Sequence, residues 1–176
     1  MSNIQRPGTD EFAAFYANYV AGVPDGDIVD LLARQAREFE ALLGGLSAER
    51  AEYRYAADKW TVKEVVGHVS DTERIFAYRA LRISRGDATP LAGFDQDRYV
   101  VSAQFGRRTL GDLLAEFQTV RASTVSLYRA MTDEESRRAG SANAVPVTAR
   151  ALAYIAAGHE LHHARILRER YLAVPQ

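Results

Sequence analysis

The sequence predicts an all-α protein, specifically a four-helix bundle, from three observations. Four segments of about 17–25 residues repeat apolar side chains at the three- and four-residue spacing of one helix face. No segment shows the alternation of apolar and polar residues that is typical of a strand. The links between the segments are longer than hairpin turns, so the helices need not follow a simple up-and-down order. With 176 residues, 47% of them apolar, the chain can form one domain with a sizeable core.

The first two long helices have clear boundaries in the sequence. Residues 27–43 carry the apolar stripe of the first helix, and Gly44 with the glycine after it ends that helix. The second helix is predicted over residues 61–85. Thr61 and Glu64 have the spacing of a capping box, in which each side chain bonds a free backbone N–H of the first turn.

The later helices follow the same logic. The third is predicted over residues 109–131, and the fourth over 148–171, starting just past Pro146. Two shorter helices are also expected. An apolar stretch at 12–20 predicts a short packing helix, and the segment FDQDRYVVSAQF, within the 86–108 link, predicts a short helix across the bundle mouth.

Composition excludes several classes of protein. The net charge is −1 with acids and bases interspersed, so the basic face that nucleic-acid binding requires is not expected. The chain has no cysteine, which excludes disulfides, thiolate metal ligands and a cysteine nucleophile. No apolar run approaches the ~18 residues of a membrane span, and the N-terminal sequence lacks a secretory signal pattern. A cytoplasmic protein that binds neither membrane nor nucleic acid is therefore expected.

The histidines carry the strongest chemical signal. His159 and His163 are four residues apart in the fourth helix, on its apolar stripe, so their Cβ atoms should lie about 5–6 Å apart and face inward. Such a pair can bind one divalent metal. If the second helix packs against the fourth, His68 completes a set of three. Three ligands leave a position open for water or substrate, as in catalytic zinc sites, and imidazoles suit Zn, Ni or Fe.

An alternative is that these histidines are core residues satisfied by hydrogen bonds. Burying an unpartnered imidazole costs on the order of 1–3 kcal/mol, and a metal would remove that cost. His162 lies about 100° around the helix from His163, which predicts a position at a pocket edge or on the surface. Its spacing from His159 also makes it a possible ligand.

Trp60, the single tryptophan, is expected to pack beneath the start of the second helix.

Two carboxylates near the histidines have open roles. Asp71 lies one turn after His68, where it would either orient that imidazole by accepting its N–H or pair with Arg74 or Arg79 on the surface. Glu160 points away from its neighbouring histidine and is expected to be solvated, although a rotated helix would make it a ligand.

Two segments together resemble a known family. KWTVKEVVGHVSDTE, followed far downstream by GHELHHARIL, is similar to the DinB/YfiT-like superfamily of metal-dependent enzymes. The shared pattern is Trp, Thr, Glu and His in the second helix, with His-x-x-x-His in the fourth. The resemblance covers about residues 25–172 of a single domain spanning 1–176. FDQDRYV is similar to the YfiT-type branch.

The resemblance implies a four-helix bundle with long crossover connections and a divalent metal, Zn or Ni, held by His68, His159 and His163. It also implies a homodimer. The family includes thiol-dependent S-transferases, which use low-molecular-weight thiols such as bacillithiol or mycothiol, and a thiol-dependent isomerase. Other members are described as hydrolases.

Three functions therefore compete. The first is a thiol S-transferase in which the metal activates a low-molecular-weight thiol to attack a small-molecule substrate, with Asp71 or His162 as candidates to move the proton. The second is a metal-dependent hydrolase. The third is a non-catalytic, metal-stabilised dimeric helical module. An accessible cleft beside the metal would favour an enzyme, whereas a closed site or dry histidines would favour the module. A role in DNA repair, suggested by the family's name, conflicts with the balanced charge.

Overall fold

The computed structural model describes residues 4–173. Its α-helices are α1 (Ala17–Ala21), α2 (Ile28–Leu43), α3 (Ala48–Ala51), α4 (Val62–Ser84), α5 (Gln96–Ala103), α6 (Leu110–Arg129), α7 (Asp133–Arg137) and α8 (Ala149–Ile166). Two 3-10 helices span Ala14–Tyr16 and Phe105–Arg107, and a π-helical segment, Leu167–Leu172, continues α8. The predicted four long helices, and both predicted short ones, are confirmed.

Each long helix begins at a polar cap that the sequence provides. Asp27, Thr61, Thr109 and Thr148 are the N-caps of α2, α4, α6 and α8, and each accepts a backbone N–H of the first turn. The capping box of Thr61 and Glu64 is present as predicted. These caps fix the start of each helix and therefore the direction in which its later side chains point.

The order of helices around the bundle differs from their order along the chain. α4 packs against α6 and α8, and α2 packs against the same two helices. The consecutive helices α2 and α4 therefore lie diagonally opposite each other, as do α6 and α8. The links between these diagonal pairs cross an end of the bundle, which confirms the predicted long connections. This order brings α4 and α8, the two helices that carry histidines, side by side.

A small antiparallel sheet occupies the link between α7 and α8. Strand β1 (Ala139–Ala142) pairs with β2 (Val145–Thr148), a minor addition to the predicted helical bundle that no alternating pattern in the sequence indicated. Asn143 and Ala144 join the strands with φ of 54° and 62°, the left-handed pair required by a tight two-residue turn. Four-residue strands are too short to show a period of two, which is why the sequence pattern did not reveal them.

Helix α8 is buried on all sides over residues 151–160 because the short helix α1 covers the side that the bundle leaves open. Gly158 makes this approach possible, since a Cβ there would lie 2.1 Å from the carbonyl oxygen of Tyr19. The expectation that Glu160 is solvated is consequently wrong: it is 2% exposed. Its pKa is raised to about 7 by burial, against the opposing charge of Arg121.

A buried polar network connects all four long helices. Arg121 of α6 bonds the carboxylate of Glu73 on α4 with two donors, and it also donates to the Leu32 carbonyl and to Gln35 Oε1 on α2. Gln35 in turn donates to the carbonyl of Ala157 on α8 at 3.0 Å. The network fixes the relative heights of the helices near the histidines.

Within residues 4–173, none of the helices combines the length and apolar character that a membrane crossing requires.

Candidate metal centre

His68 of α4 meets His159 and His163 of α8 at one point. The Nε2 atom of His159 lies 3.0 Å from Nε2 of His68 and 3.1 Å from Nε2 of His163. Potential ligand atoms of all three lie within 4.8 Å of one another. Two nitrogens bound to one zinc at 2.0–2.1 Å with tetrahedral angles would lie about 3.3 Å apart. The side chains are therefore spaced so that they could hold one divalent ion.

Hydrogen bonds alone do not satisfy this arrangement. An imidazole nitrogen carries either one proton or one lone pair, so it pairs with a single neighbour. His159 Nε2 has two such neighbours at equal range, His68 and His163, and one of the two contacts is left unsatisfied. A cation would accept the lone pairs of all three rings, so the donor set fits a metal that prefers nitrogen ligands.

The surroundings hold the three imidazoles in the neutral form that metal binding requires. Burial lowers the pKa of His68 to about 4. Burial, followed by the nearby His68 and His162, lowers the pKa of His163 to about 3. The pKa of His159 is well below its usual value, first because of burial and then because of the neighbouring histidines. At neutral pH each ring can therefore offer a lone pair.

Thr72, rather than Asp71, lies behind the first histidine. Its Oγ1 is 3.4 Å from Nδ1 of His68, and an Nδ1–H donated to it leaves the Nε2 lone pair directed at the other two rings. Asp71 instead pairs with Arg74 at 3.3 Å and is partly exposed. Of the two roles considered for Asp71, the structure places it in the ion pair.

Trp60 packs on the outer side of the cluster. Its ring centroid is 4.6 Å from that of His68, and its carbonyl accepts a hydrogen bond of 2.7 Å from the Tyr171 hydroxyl. The prediction that Trp60 packs at the start of the second helix is confirmed. The sequence did not indicate that the indole also contacts the imidazole of His68, at an angle of 46° between the two rings.

His162 lies at the edge of the site, as its rotation around the helix predicts. Its ring is 5.2 Å from the rings of both His163 and Tyr19, and it is half-buried. Burial, followed by the positive charge of Arg165, lowers its pKa. His162 does not belong to the group of rings that converge, but it faces the same cavity.

The histidines form one end of a cavity of about 300 Å³ between α1, α4, α8 and the start of α5. It is lined by Phe15, Tyr16, Tyr19, His68, Thr72, Phe76, Arg79, Gly93, Phe94, Gln96, Asn143, His159, His162 and His163. No aspartate or glutamate is among these lining residues. The cavity has an aromatic wall, with imidazoles at one end and a guanidinium among its remaining polar groups.

The sequence did not single out most of this wall. Tyr19, Phe94 and Arg79 come from three separate parts of the chain, and nothing local to them signals a shared cavity. The single available hint was the aromatic FDQDRYV segment, which was expected at the bundle mouth. Its Phe94 and Gln96 do line the cavity.

The sequence matches a protein family, and the fold matches a solved structure. The sequence model of the DinB superfamily matches residues 31–167. YfiT from Bacillus subtilis has a similar solved structure, with a TM-score of 0.75 and 16% sequence identity, covering 84% of this chain and 90% of that one. That protein is described as a probable metal-dependent hydrolase with an unusual four-helix bundle topology. No functionally curated protein matches the sequence.

Proposed function

The chain belongs to the DinB superfamily, and on that premise we propose that it is a metal-dependent enzyme acting on a small molecule in the cavity beside His68, His159 and His163. One observation carries the proposal: three neutral imidazoles from two helices converge at the end of a cavity that a small ligand can enter. A core of satisfied histidines would need no such cavity, and a structural site would normally have four protein ligands.

The residues of the site divide into two tasks. His68, His159 and His163 would hold the ion, zinc or nickel, and Thr72 and Trp60 keep the first of these rings oriented. A divalent ion held by three imidazoles supplies Lewis-acid chemistry, which lowers the pKa of a coordinated thiol or water toward neutrality. The aromatic side chains exclude bulk water from the space where the substrate would lie.

We propose thiol S-transfer as the reaction, with a low-molecular-weight thiol as cosubstrate. The sulfur forms a bond to an electrophilic carbon, and the leaving group departs with its electron pair. Free thiols have a pKa near 8.5 and free water one near 15.7, so for an equal lowering by the ion the thiol would be the more ionised of the two. No carboxylate that could assist the deprotonation of water is among the lining residues of the cavity in the described chain. His162, which faces the cavity without joining the converging rings, is positioned to accept the thiol proton.

Hydrolysis is the second candidate, and one observation favours it. The similar structure, YfiT, is described as a probable metal-dependent hydrolase. In that reaction water replaces the thiol, and His162 would again be the side chain nearest to take the proton. The two reactions differ in whether turnover requires a thiol.

The experiment begins with protein purified without a histidine tag, whose metal content is measured by elemental analysis. The metal-loaded protein is then assayed against a generic aromatic electrophile with glutathione, cysteine, bacillithiol and mycothiol in turn, and against an ester without thiol. His163→Ala is the metal-free comparison. Metal-dependent turnover with one of the thiols supports S-transfer, and ester turnover without thiol supports hydrolysis.

Two results would contradict the proposal. Failure to bind zinc or nickel would remove the metal-dependent enzyme altogether. Metal binding without turnover of either kind would instead favour a metal-stabilised helical module. The proposed homodimer rests on the family resemblance, and light scattering on the eluting protein tests it separately.

A further inference from the structure

The bundle contains two buried arginines in opposite situations. Arg121 is 1% exposed, and the carboxylate of Glu73 neutralises it with two hydrogen bonds. Arg79 is 4% exposed, yet no carboxylate of residues 4–173 lies within the 4.0 Å of an ion pair. Arginines are rarely buried without a partner, because removing the charge from water is costly. Arg79 therefore carries a charge that the fold leaves uncompensated.

The neighbours of Arg79 are neutral. Its Nη2 donates to the carbonyl of Ala92 at 2.7 Å, and the guanidinium carbon lies 6.0 Å from the centre of the Phe94 ring. Burial lowers the pKa of Arg79, opposed by the Tyr16 hydroxyl, but a guanidinium stays protonated at neutral pH. The carbonyl and the aromatic ring hold the side chain in place without cancelling its charge.

Arg79 and the histidine cluster share one cavity. Arg79 lies eleven positions after His68 in α4. Eleven residues make three full helical turns plus about 20°, so both side chains project from the same face of the helix. Thr72 and Phe76 lie between them on that face and also line the cavity. His68 and Arg79 are the first and the last residue of α4 that line the cavity, and about 16 Å of helix rise separates their backbone positions, so the imidazole and the guanidinium mark its two polar ends.

The neutral groups around Arg79 suit an anion rather than a second cation. Gln96 and Asn143 contribute amides to the same cavity, and no acidic side chain lines it. Guanidinium presents a fork of N–H donors that matches the two oxygens of a carboxylate. Between this end and the histidines the walls are aromatic, which favours an apolar connecting portion in the ligand.

We propose that Arg79 binds the carboxylate of the substrate, which is thus a small organic acid with an apolar middle whose reacting group lies at the histidine end. Its description as a substrate rests on the proposed function, whereas binding of the carboxylate at Arg79 does not require the metal.

The test compares two ligands of the same shape and different charge, phenylbutyrate and phenylbutyramide. Isothermal titration calorimetry measures both dissociation constants with chelator-treated protein and again after zinc loading. In the wild type the carboxylate should bind at least about tenfold more tightly than the amide, the usual scale for a charge-assisted hydrogen bond. Arg79→Gln should bring the ratio close to one in both forms. Arg74→Gln removes the same charge from an exposed position of α4 and should leave the ratio unchanged.

Equal ratios in wild type and Arg79→Gln would overturn the inference. So would a carboxylate preference that arises only with zinc and survives the substitution, since the acid would then be binding the metal. If Arg79→Gln does not fold, Arg79→Met tests the same loss of charge with an apolar side chain of similar length. The protein could also fail to bind metal and still prefer the carboxylate over the amide in a way that depends on Arg79. That result would support this inference and refute the metal-dependent function.

Discussion

Arg121 and Glu73 form a two-pronged ion pair in the centre of the bundle, with Nε 2.6 Å from Oε1 and Nη2 2.7 Å from Oε2. Both side chains are almost completely shielded from water. Neither charge can be solvated if its partner is removed, so the pair holds α4 and α6 in one relative position. Glu73 lies five residues after His68, and this position therefore also sets the height of the first imidazole.

Arg121→Met should destabilise the fold by about 3–5 kcal/mol, because it leaves a buried carboxylate without its counter-ion. The double variant Arg121→Met, Glu73→Met should lose less than the sum of the two single variants. Urea unfolding of all four proteins measures this coupling. Additive losses would show that the two charges do not depend on each other.

His163→Ala should abolish metal binding, whereas His162→Ala should retain it. The first ring takes part in the converging cluster and the second only faces the cavity. Zinc or nickel at about 100 times its dissociation constant should stabilise the wild type by about 2.7 kcal/mol and raise its melting temperature by several degrees. Differential scanning fluorimetry with and without metal checks both variants.

The two variants are a matched pair, because each removes one imidazole and the two positions are adjacent in α8. If His162→Ala lost metal as fully as His163→Ala, His162 would have to be counted among the ligands.

Glu11 gives the protein a specific acid sensitivity. Burial alone would raise its pKa, but hydrogen bonds from Arg150, from the Gly8 N–H and from Thr148 outweigh burial and lower the pKa from 4.5 to about 2. The folded state therefore holds fewer protons than the unfolded chain between these values. The stabilisation is complete above pH 4.5 and is lost as the pH falls toward 2.

Glu11→Gln should consequently cost about 1–3 kcal/mol at pH 7, toward the lower value because the pair is partly solvated. The difference from wild type should shrink as the pH is lowered from 4.5 to 2. Chemical unfolding of the two proteins at a series of pH values provides the measurement. A difference that stays constant over this range would contradict the assigned role of the carboxylate.

Gly158→Ala should destabilise the protein by roughly 1–3 kcal/mol, since the new methyl group would overlap the Tyr19 carbonyl and push α1 away from α8. Gly111→Ala is the matched control. Its Cβ would lie 3.8 Å from Thr109 Oγ1, in ordinary contact, so the better helix former should add about 0.5–1 kcal/mol. Thermal melting distinguishes the two, and an equally harmless Gly158→Ala would mean that α1 can move away freely.

The sequence was sufficient to predict the long helices because their signals are local. The capping box at Thr61 and the apolar stripe of residues 27–43 depend on side chains within a few turns. The pairing of His159 with His163 is likewise a matter of spacing on one helix. His68 can join this pair only if α4 lies beside α8. The family resemblance implied this packing, but no local pattern in the sequence could show it.

Other features depended on distant neighbours. Glu160 occupies a position that would be solvated on a bare bundle, and it is buried because α1 covers α8. Arg79 looks like any helical arginine in the sequence. It is unusual because no carboxylate of the described chain pairs with it. This can be recognised only when every element packed around Arg79 is known. The hairpin at Asn143 was too short to produce a recognisable pattern.

His68 and His159 touch although 91 residues separate them along the chain. At ribosomal rates of 5–20 residues per second, the second is synthesised on the order of 5–20 s after the first. Throughout that interval the early imidazole has neither of its partners. The three-ring cluster can therefore form only after α8 has been synthesised and has packed against α4, so its appearance would mark the docking of these two helices.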